Sequence, residues 1–544
     1  MTRRWLFGVI AVVSSGLVVA AQQPFRPTGS GRISGRVLAA RTREPIAGAR
    51  VSASAFEPRV NELAVSDSQG YFNFTGLPAA RYRIAANAER FAPTQFGQLV
   101  PEDPERMVAL RDRETFDQAD ILMPRFGEIV GTVTDSSGAA VAGALVTPLR
   151  RDFYGGDIHF FQFGATTQAD SRGVFHLTSV RPGTYYLSAA RFIPHVSSTS
   201  QVQSGYGNTY YPATLSAAKA ETVSVNPERI TNANVTLSAT TLASLTVTFP
   251  ATGAEMFRGG TLDVSLAQSS QGWTVPVPPA KKLIVNGVPP GTYFIIAREG
   301  DARTITNAFA GKVVVEEGSR EVSVQMVAQR KVKVSGRIVF DTPAARSRLD
   351  PSVLTIGIGV LGLGRSPGPQ GPAGIPSADL SFATQSWPGL HEVRLEARER
   401  GWAIKSVHAG GNDVTDTGIV VPNATDLSGV EVELTNQLIE LSGHVTAKGA
   451  AVDSYKIFVF AHDRKRWQTA TQRYTATASA DQNGQFVVRG LPAGLYFVIA
   501  VPNGPSRPDP QELERFAPLA STVSLAEGQA RSIALELATL ASVF

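Results

Sequence analysis

The clearest alternation of apolar and polar positions runs from Asp481 to Ala500. Asp481-Gln482-Asn483-Gly484 has the form of a tight turn, because Asp hydrogen-bonds its own backbone and Gly accepts positive φ without steric cost. Phe486 and Val488 then share one face of a strand, Gly490-Leu491-Pro492-Ala493-Gly494 reverses the chain, and Tyr496, Val498 and Ala500 share a face of the next strand. A hairpin with a single apolar side cannot bury it alone and requires a second sheet.

The same pattern recurs upstream. Asp67-Ser68-Gln69-Gly70 leads into Gly76-Leu77-Pro78 and Tyr82, and Asp170-Ser171-Arg172-Gly173 leads into Val180-Arg181-Pro182-Gly183 and Tyr185. A partial copy, Val288-Pro289-Pro290-Gly291 with Tyr293, lacks the Asp turn. Gly-centred strands open the repeats at Ile33-Ser34-Gly35-Arg36-Val37, Ile129-Val130-Gly131-Thr132-Val133, Val334-Ser335-Gly336-Arg337-Ile338 and Leu441-Ser442-Gly443-His444-Val445. Repetition at this spacing means an array of modules. The expected division is a segment 1–21, a linker 22–30, and modules over 31–125, 126–241, 242–329, 330–437 and 438–544. The charged stretch Pro101 to Asp117 reads as a solvated loop or short helix, and Gly364 to Gly374 as a Pro/Gly loop in the fourth module. Each complete repeat carries about seven short strands, so the expected fold is all-β, a tandem array of about five antiparallel β-sandwiches. In series they read as beads on a string with limited interfaces.

Composition agrees. A chain of 544 residues exceeds one core, and 18% charged residues with 50 Gly and 34 Pro suit short strands joined by turns. The net charge of +5 raises nucleic acid as a partner, but Lys and Arg are scattered among acids and form no basic stripe, so that partner is not expected. Met1-Thr2-Arg3-Arg4, the apolar run Trp5 to Ala20 and the small residues Val19-Ala20-Ala21 before Gln22 read as a secretory signal peptide over 1–21. With no Cys, stability has to come from module cores and turns. No later apolar stretch is long enough to span a bilayer, so the expectation is export to the periplasm, cell surface or medium without membrane insertion.

The combination of Ile33-Ser34-Gly35-Arg36-Val37, Pro45-Ile46-Ala47-Gly48-Ala49-Arg50-Val51, Asp67-Ser68-Gln69-Gly70-Tyr71-Phe72 and Gly76-Leu77-Pro78 with Tyr82 resembles the carboxypeptidase regulatory-like domain. The second module matches through Gly131-Thr132-Val133, Ala142-Gly143-Ala144 and Asp170-Ser171-Arg172-Gly173, with Ala140 where Pro is usual. The fifth matches at its opening strand and hairpin but has Val452-Asp453-Ser454-Tyr455 in between, and the third and fourth match weakly. The resemblance implies a transthyretin-like (prealbumin-like) β-sandwich, grouped by fold with carbohydrate-binding modules, in the manner of multi-module exported bacterial proteins. It implies a fold and no activity.

Chemistry-bearing motifs are sparse. The seven histidines are spread over different modules without a His-x-x-Glu or His-Glu-x-x-His pattern, and no Gly-x-Ser-x-Gly elbow occurs. No catalytic residue, metal ligand or cofactor site is assigned, and no enzyme is expected. Asp67, Asp170 and Asp481 lack the neighbouring acids of a calcium site and read as turn formers, while Tyr82, Tyr185, Tyr293 and Tyr496 read as core. The unusual composition is an aromatic insert in the second module. Phe153, Tyr154, Phe160, Phe161 and Phe163, with Tyr206, Tyr210 and Tyr211 beyond it, are the candidate ligand-binding rings, and Trp467 is a further one. Two readings compete: a face for sugar stacking, or rings that fold onto their own module or cover a neighbour. The expected function is a non-catalytic exported binding or structural protein of the cell envelope with a polysaccharide or an envelope protein as partner. The alternatives are a dedicated carbohydrate-binding protein and an accessory to an outer-membrane receptor or peptidase.

Overall fold

A computed structural model describes residues 29–55, 58–250, 256–300, 305–346, 353–361, 371–397 and 401–539. The expected signal peptide, residues 22–28 of the linker and residues 364–370 of the Pro/Gly loop lie outside the described residues. The chain is nearly all β, built as two-sheet sandwiches in series, each with its own apolar core.

The first module shows the plan. Gly31–Ala39 pairs antiparallel with Tyr71–Leu77 and parallel with Ile121–Met123. The facing sheet orders Val60–Val65, Arg50–Ala55 and Ala80–Asn87. Alternate residues point inward, so Val51 and Ala53 meet Phe72, Phe74 and Tyr82 in the core. A parallel pair of opening and closing strands recurs downstream, as in Glu440–Ala447 with Ala530–Glu536. Wholly antiparallel sheets were expected. The closing strand arrives by a crossover from the other sheet rather than by a hairpin, which permits the parallel direction.

Three repeated devices explain the sequence signature. A Cβ on Gly35, Gly131, Gly336 or Gly443 would lie 2.4, 1.9, 1.8 or 2.0 Å from a carbonyl oxygen of the closing segment beside it, so the opening strand needs Gly for close approach rather than for φ. Asp67, Asp170 and Asp481 each accept, through Oδ1, the backbone N–H groups two and four residues on, closing the turn that starts the hairpin. The hairpin tyrosines are buried, and each donates its hydroxyl to the carbonyl four residues back: Tyr82 to Pro78, Tyr185 to Arg181, Tyr293 to Pro289, Tyr496 to Pro492. In the fourth module His391 takes this place, with Nε2 2.8 Å from the Trp387 carbonyl. Burial lowers the His391 pKa and favours the neutral imidazole.

The modules are not loosely strung. Gln203–Tyr210 of the second sandwich pairs with Ala239–Thr248, which continues along Lys282–Val288 in the third, so one sheet runs through both. The stretch 101–117 is not a solvated loop. It contributes the strands Val108–Leu110 and Thr115–Phe116 and packs on the fifth module, where Met107 donates to the Ala480 carbonyl and the Gln482 side chain makes two 2.8 Å hydrogen bonds to the Ala109 backbone. The fourth and fifth modules are tied through Tyr474 to Asp416 and Lys405 to Glu527. Backbone donors and acceptors at module edges find partners on other modules, which gives the extensive contacts that a beads-on-a-string arrangement lacks.

Candidate functional site

The aromatic insert is a hairpin of Leu145–Tyr154 with Asp157–Gln162. Alternation along these strands sends its rings in opposite directions. Phe153, Phe160 and Tyr210 are buried, and Tyr154, Phe161, Phe163, Tyr206 and Tyr211 are half-buried. Phe160 packs edge-on against Tyr186 and beside Tyr210, while its backbone exchanges hydrogen bonds with Gln268 and Ser270 of the third module. Tyr154 donates its hydroxyl to the Val360 carbonyl of the fourth module and lies under the Arg507 guanidinium of the fifth. Phe163, Tyr206 and Tyr211 pack on the second core, with Tyr206 also donating to Asp135, and Trp467 is buried in the fifth module. None of the eight rings is exposed, so they do not form the contiguous surface patch that sugar stacking requires. The insert is a seam between modules.

One cleft does open at that seam. Its cavity volume of about 820 Å³ lies where the first, second and fifth modules meet, and Phe163 is the one candidate ring that lines it. Its floor is the outer face of the first module's second sheet, where Arg50 stands opposite Asn87, and Ser52 opposite both Leu63 and Ala85. Arg83 crosses this face in a two-pronged pair with Glu105, both bonds 2.7 Å, which raises the guanidinium pKa.

The wall is cationic. Arg150 pairs with Glu102, and Arg150 and Arg181 both lie over Phe163, 4.9 and 5.3 Å from its centroid. Burial, with the Arg181 charge adding, lowers the Arg150 pKa. Lys456, 7% exposed at the start of a strand, donates from Nζ to the Glu102 and Gly504 carbonyls at 3.0 and 2.6 Å and has no carboxylate partner among the described residues. Burial pushes its pKa down to about 8 against the opposing pull of Glu105 and Asp103. Five cations thus share the cleft and its immediate surroundings with two paired carboxylates, Glu102 and Glu105. The cleft is therefore net cationic. No group of three or more potential metal ligands occurs among the described residues, and no helix there is long and apolar enough to cross a membrane.

Sequence reasoning passed over these cations because they come from three modules. One signal was readable: Arg181 stands where the sister hairpins have Pro78, Pro289 and Pro492, keeping the carbonyl that the tyrosine needs while adding a charge.

No curated protein matches the chain. Among solved structures, it is similar to the minor pilin GBS52 of Streptococcus agalactiae at 13% identity, over 38% of this chain and 96% of that one, with a TM-score of 0.24. It is similar to the TIE protein of Bacillus anthracis at 12% identity, over 75% and 73% of the two chains, with a TM-score of 0.16. The shaft pilin SpaA of Lactobacillus rhamnosus GG is similar at 9% identity, over 39% and 97%, with a TM-score of 0.18. Residues 32–110, with their opening glycine, Asp turn and tyrosine-closed hairpin, match the family model of the carboxypeptidase regulatory-like domain.

Proposed function

We propose that this chain is a non-catalytic binding and structural protein of the bacterial cell envelope, exported under the direction of its N-terminal segment. The observation that carries the reading is the fastening of modules to one another. The first and fifth modules, far apart in sequence, are joined by backbone and side-chain hydrogen bonds, and the insert of the second bonds to the third and fourth. Such a body resists deformation and presents its clefts in fixed geometry, which suits a scaffold or receptor.

Small-angle scattering of residues 22–544 together with fractionation of producing cells tests this. The expected radius of gyration is close to the ~24 Å of a compact chain of this length, with recovery in the envelope or medium that depends on residues 1–21. A radius about twice that compact value, or cytoplasmic recovery of the full chain, would overturn it.

A further inference from the structure

We propose that the cleft between the first, second and fifth modules binds an acidic polysaccharide, a chain rich in uronate carboxylates and hydroxyls. This goes beyond the binding or structural reading above and rests on it. Carboxylates tie Arg83 and Arg150, but Arg50 and Arg181 have no acidic partner among the described residues and both line the cleft. Arg181 is held beside Arg150 by their shared position over Phe163, and Glu102 neutralises only one of the two. A guanidinium left over in this way is a fork for a ligand carboxylate.

The remaining surface narrows the ligand class. Between the cations the cleft presents neutral hydrogen-bonding side chains, Ser52 and Asn87 from the floor and Ser479 and Ser506 from the fifth module. These match hydroxyls. The cleft offers no open aromatic face, since two guanidiniums lie over Phe163, so a neutral pyranose has little to stack on. The volume of about 820 Å³ lies within the roughly 300–1,000 Å³ of typical ligand sites. The floor is one face of a sheet, along which an extended polymer can lie.

The test is affinity electrophoresis of residues 22–544 in polygalacturonate, dextran and poly-L-glutamate at physiological ionic strength, with two variants. Arg181→Pro installs the residue that the sister hairpins carry and keeps the carbonyl that Tyr185 requires. Arg172→Ala removes the same charge from an exposed turn outside the cleft. The expected result is retardation by polygalacturonate alone, weakened at least about tenfold by Arg181→Pro, the scale for losing one charge-assisted contact, and less than about twofold by Arg172→Ala. Equal weakening by both variants would reduce the effect to net charge and overturn the site. Equal retardation by poly-L-glutamate would overturn the glycan class, and no retardation by polygalacturonate would overturn the proposal. Scattering of the same samples reads the fastened body separately, so failure of the site and failure of the scaffold reading are distinguishable.

Discussion

Asp481 makes the same turn as Asp67 and Asp170, yet it is buried and they are exposed, and that difference yields a graded prediction. In all three, Asp→Asn keeps an oxygen for the two backbone N–H groups and removes the charge that strengthens them, a local loss of ~1 kcal/mol at the buried Asp481 and less at its solvated sisters. Asp481 also meets Arg81 of the first module, Oδ2 to Nη1 at 3.3 Å, with side-chain exposures of 5% and 24%. Removing one partner of a fully buried pair costs ~3–5 kcal/mol, and because Arg81 keeps some access to water the figure here is reduced to ~2 kcal/mol. Asp481→Asn is therefore expected to cost ~3 kcal/mol in all, with most of the excess over its sisters falling on the seam between the first and fifth modules.

Native-state hydrogen exchange reads that seam directly. The Met107 amide donates to the Ala480 carbonyl and the Ala109 amide to Gln482 Oε1, both across it. If the seam opens ~2 kcal/mol more easily, these two amides exchange about thirtyfold faster in Asp481→Asn, while Asp67→Asn and Asp170→Asn leave them unchanged. Equal acceleration in all three variants, or none in Asp481→Asn, would refute the assignment of the excess to the Arg81 pair.

Four further predictions concern the same interior. Gly131→Ala forces a Cβ into the Ala233 carbonyl and is expected to cost ~3 kcal/mol or more, whereas Gly138→Ala, at φ +84° with open space around it, costs ~1 kcal/mol; thermal unfolding of the two separates close approach from backbone strain. Tyr496→Phe leaves the Pro492 carbonyl without its donor, for a loss of ~1–3 kcal/mol in denaturant titration. His391 occupies the equivalent corner with a lowered pKa, so the unfolded state binds the extra proton as pH falls below ~6.5 and stability is lost there; His391→Tyr is expected to flatten that dependence between pH 7 and pH 5. Lys456 acts with the same sign in a higher window: its pKa is pushed down to about 8 from 10.5, so its burial penalty is full below pH 8 and relieved as pH rises toward 10.5. Lys456→Met should reduce that rise, which amounts to at most ~3 kcal/mol, in melting followed across pH 7 to 10.

The sandwich plan was legible because its determinants are local. An Asp turn closes on N–H groups two and four residues away, a hairpin tyrosine on a carbonyl four residues away, and a strand's alternation needs only its own side chains. Even the opening glycine announces itself, although its cause, a neighbouring carbonyl some 80 to 100 positions further along the chain, does not. The fourth hairpin escaped notice because His391 stands in for tyrosine, a substitution that keeps the hydrogen bond and loses the pattern.

The site was not legible, and for the opposite reason. Arg50, Arg181 and Lys456 lie in three different modules, and each is unremarkable in its own stretch. Composition singled out the aromatic insert, but whether a ring faces solvent or a neighbour depends on what packs against it, and here the third, fourth and fifth modules do. Turns and hairpins are decided by interactions within a few residues and are written into each repeat; a cleft between repeats is decided by the docking of edges that no local pattern encodes.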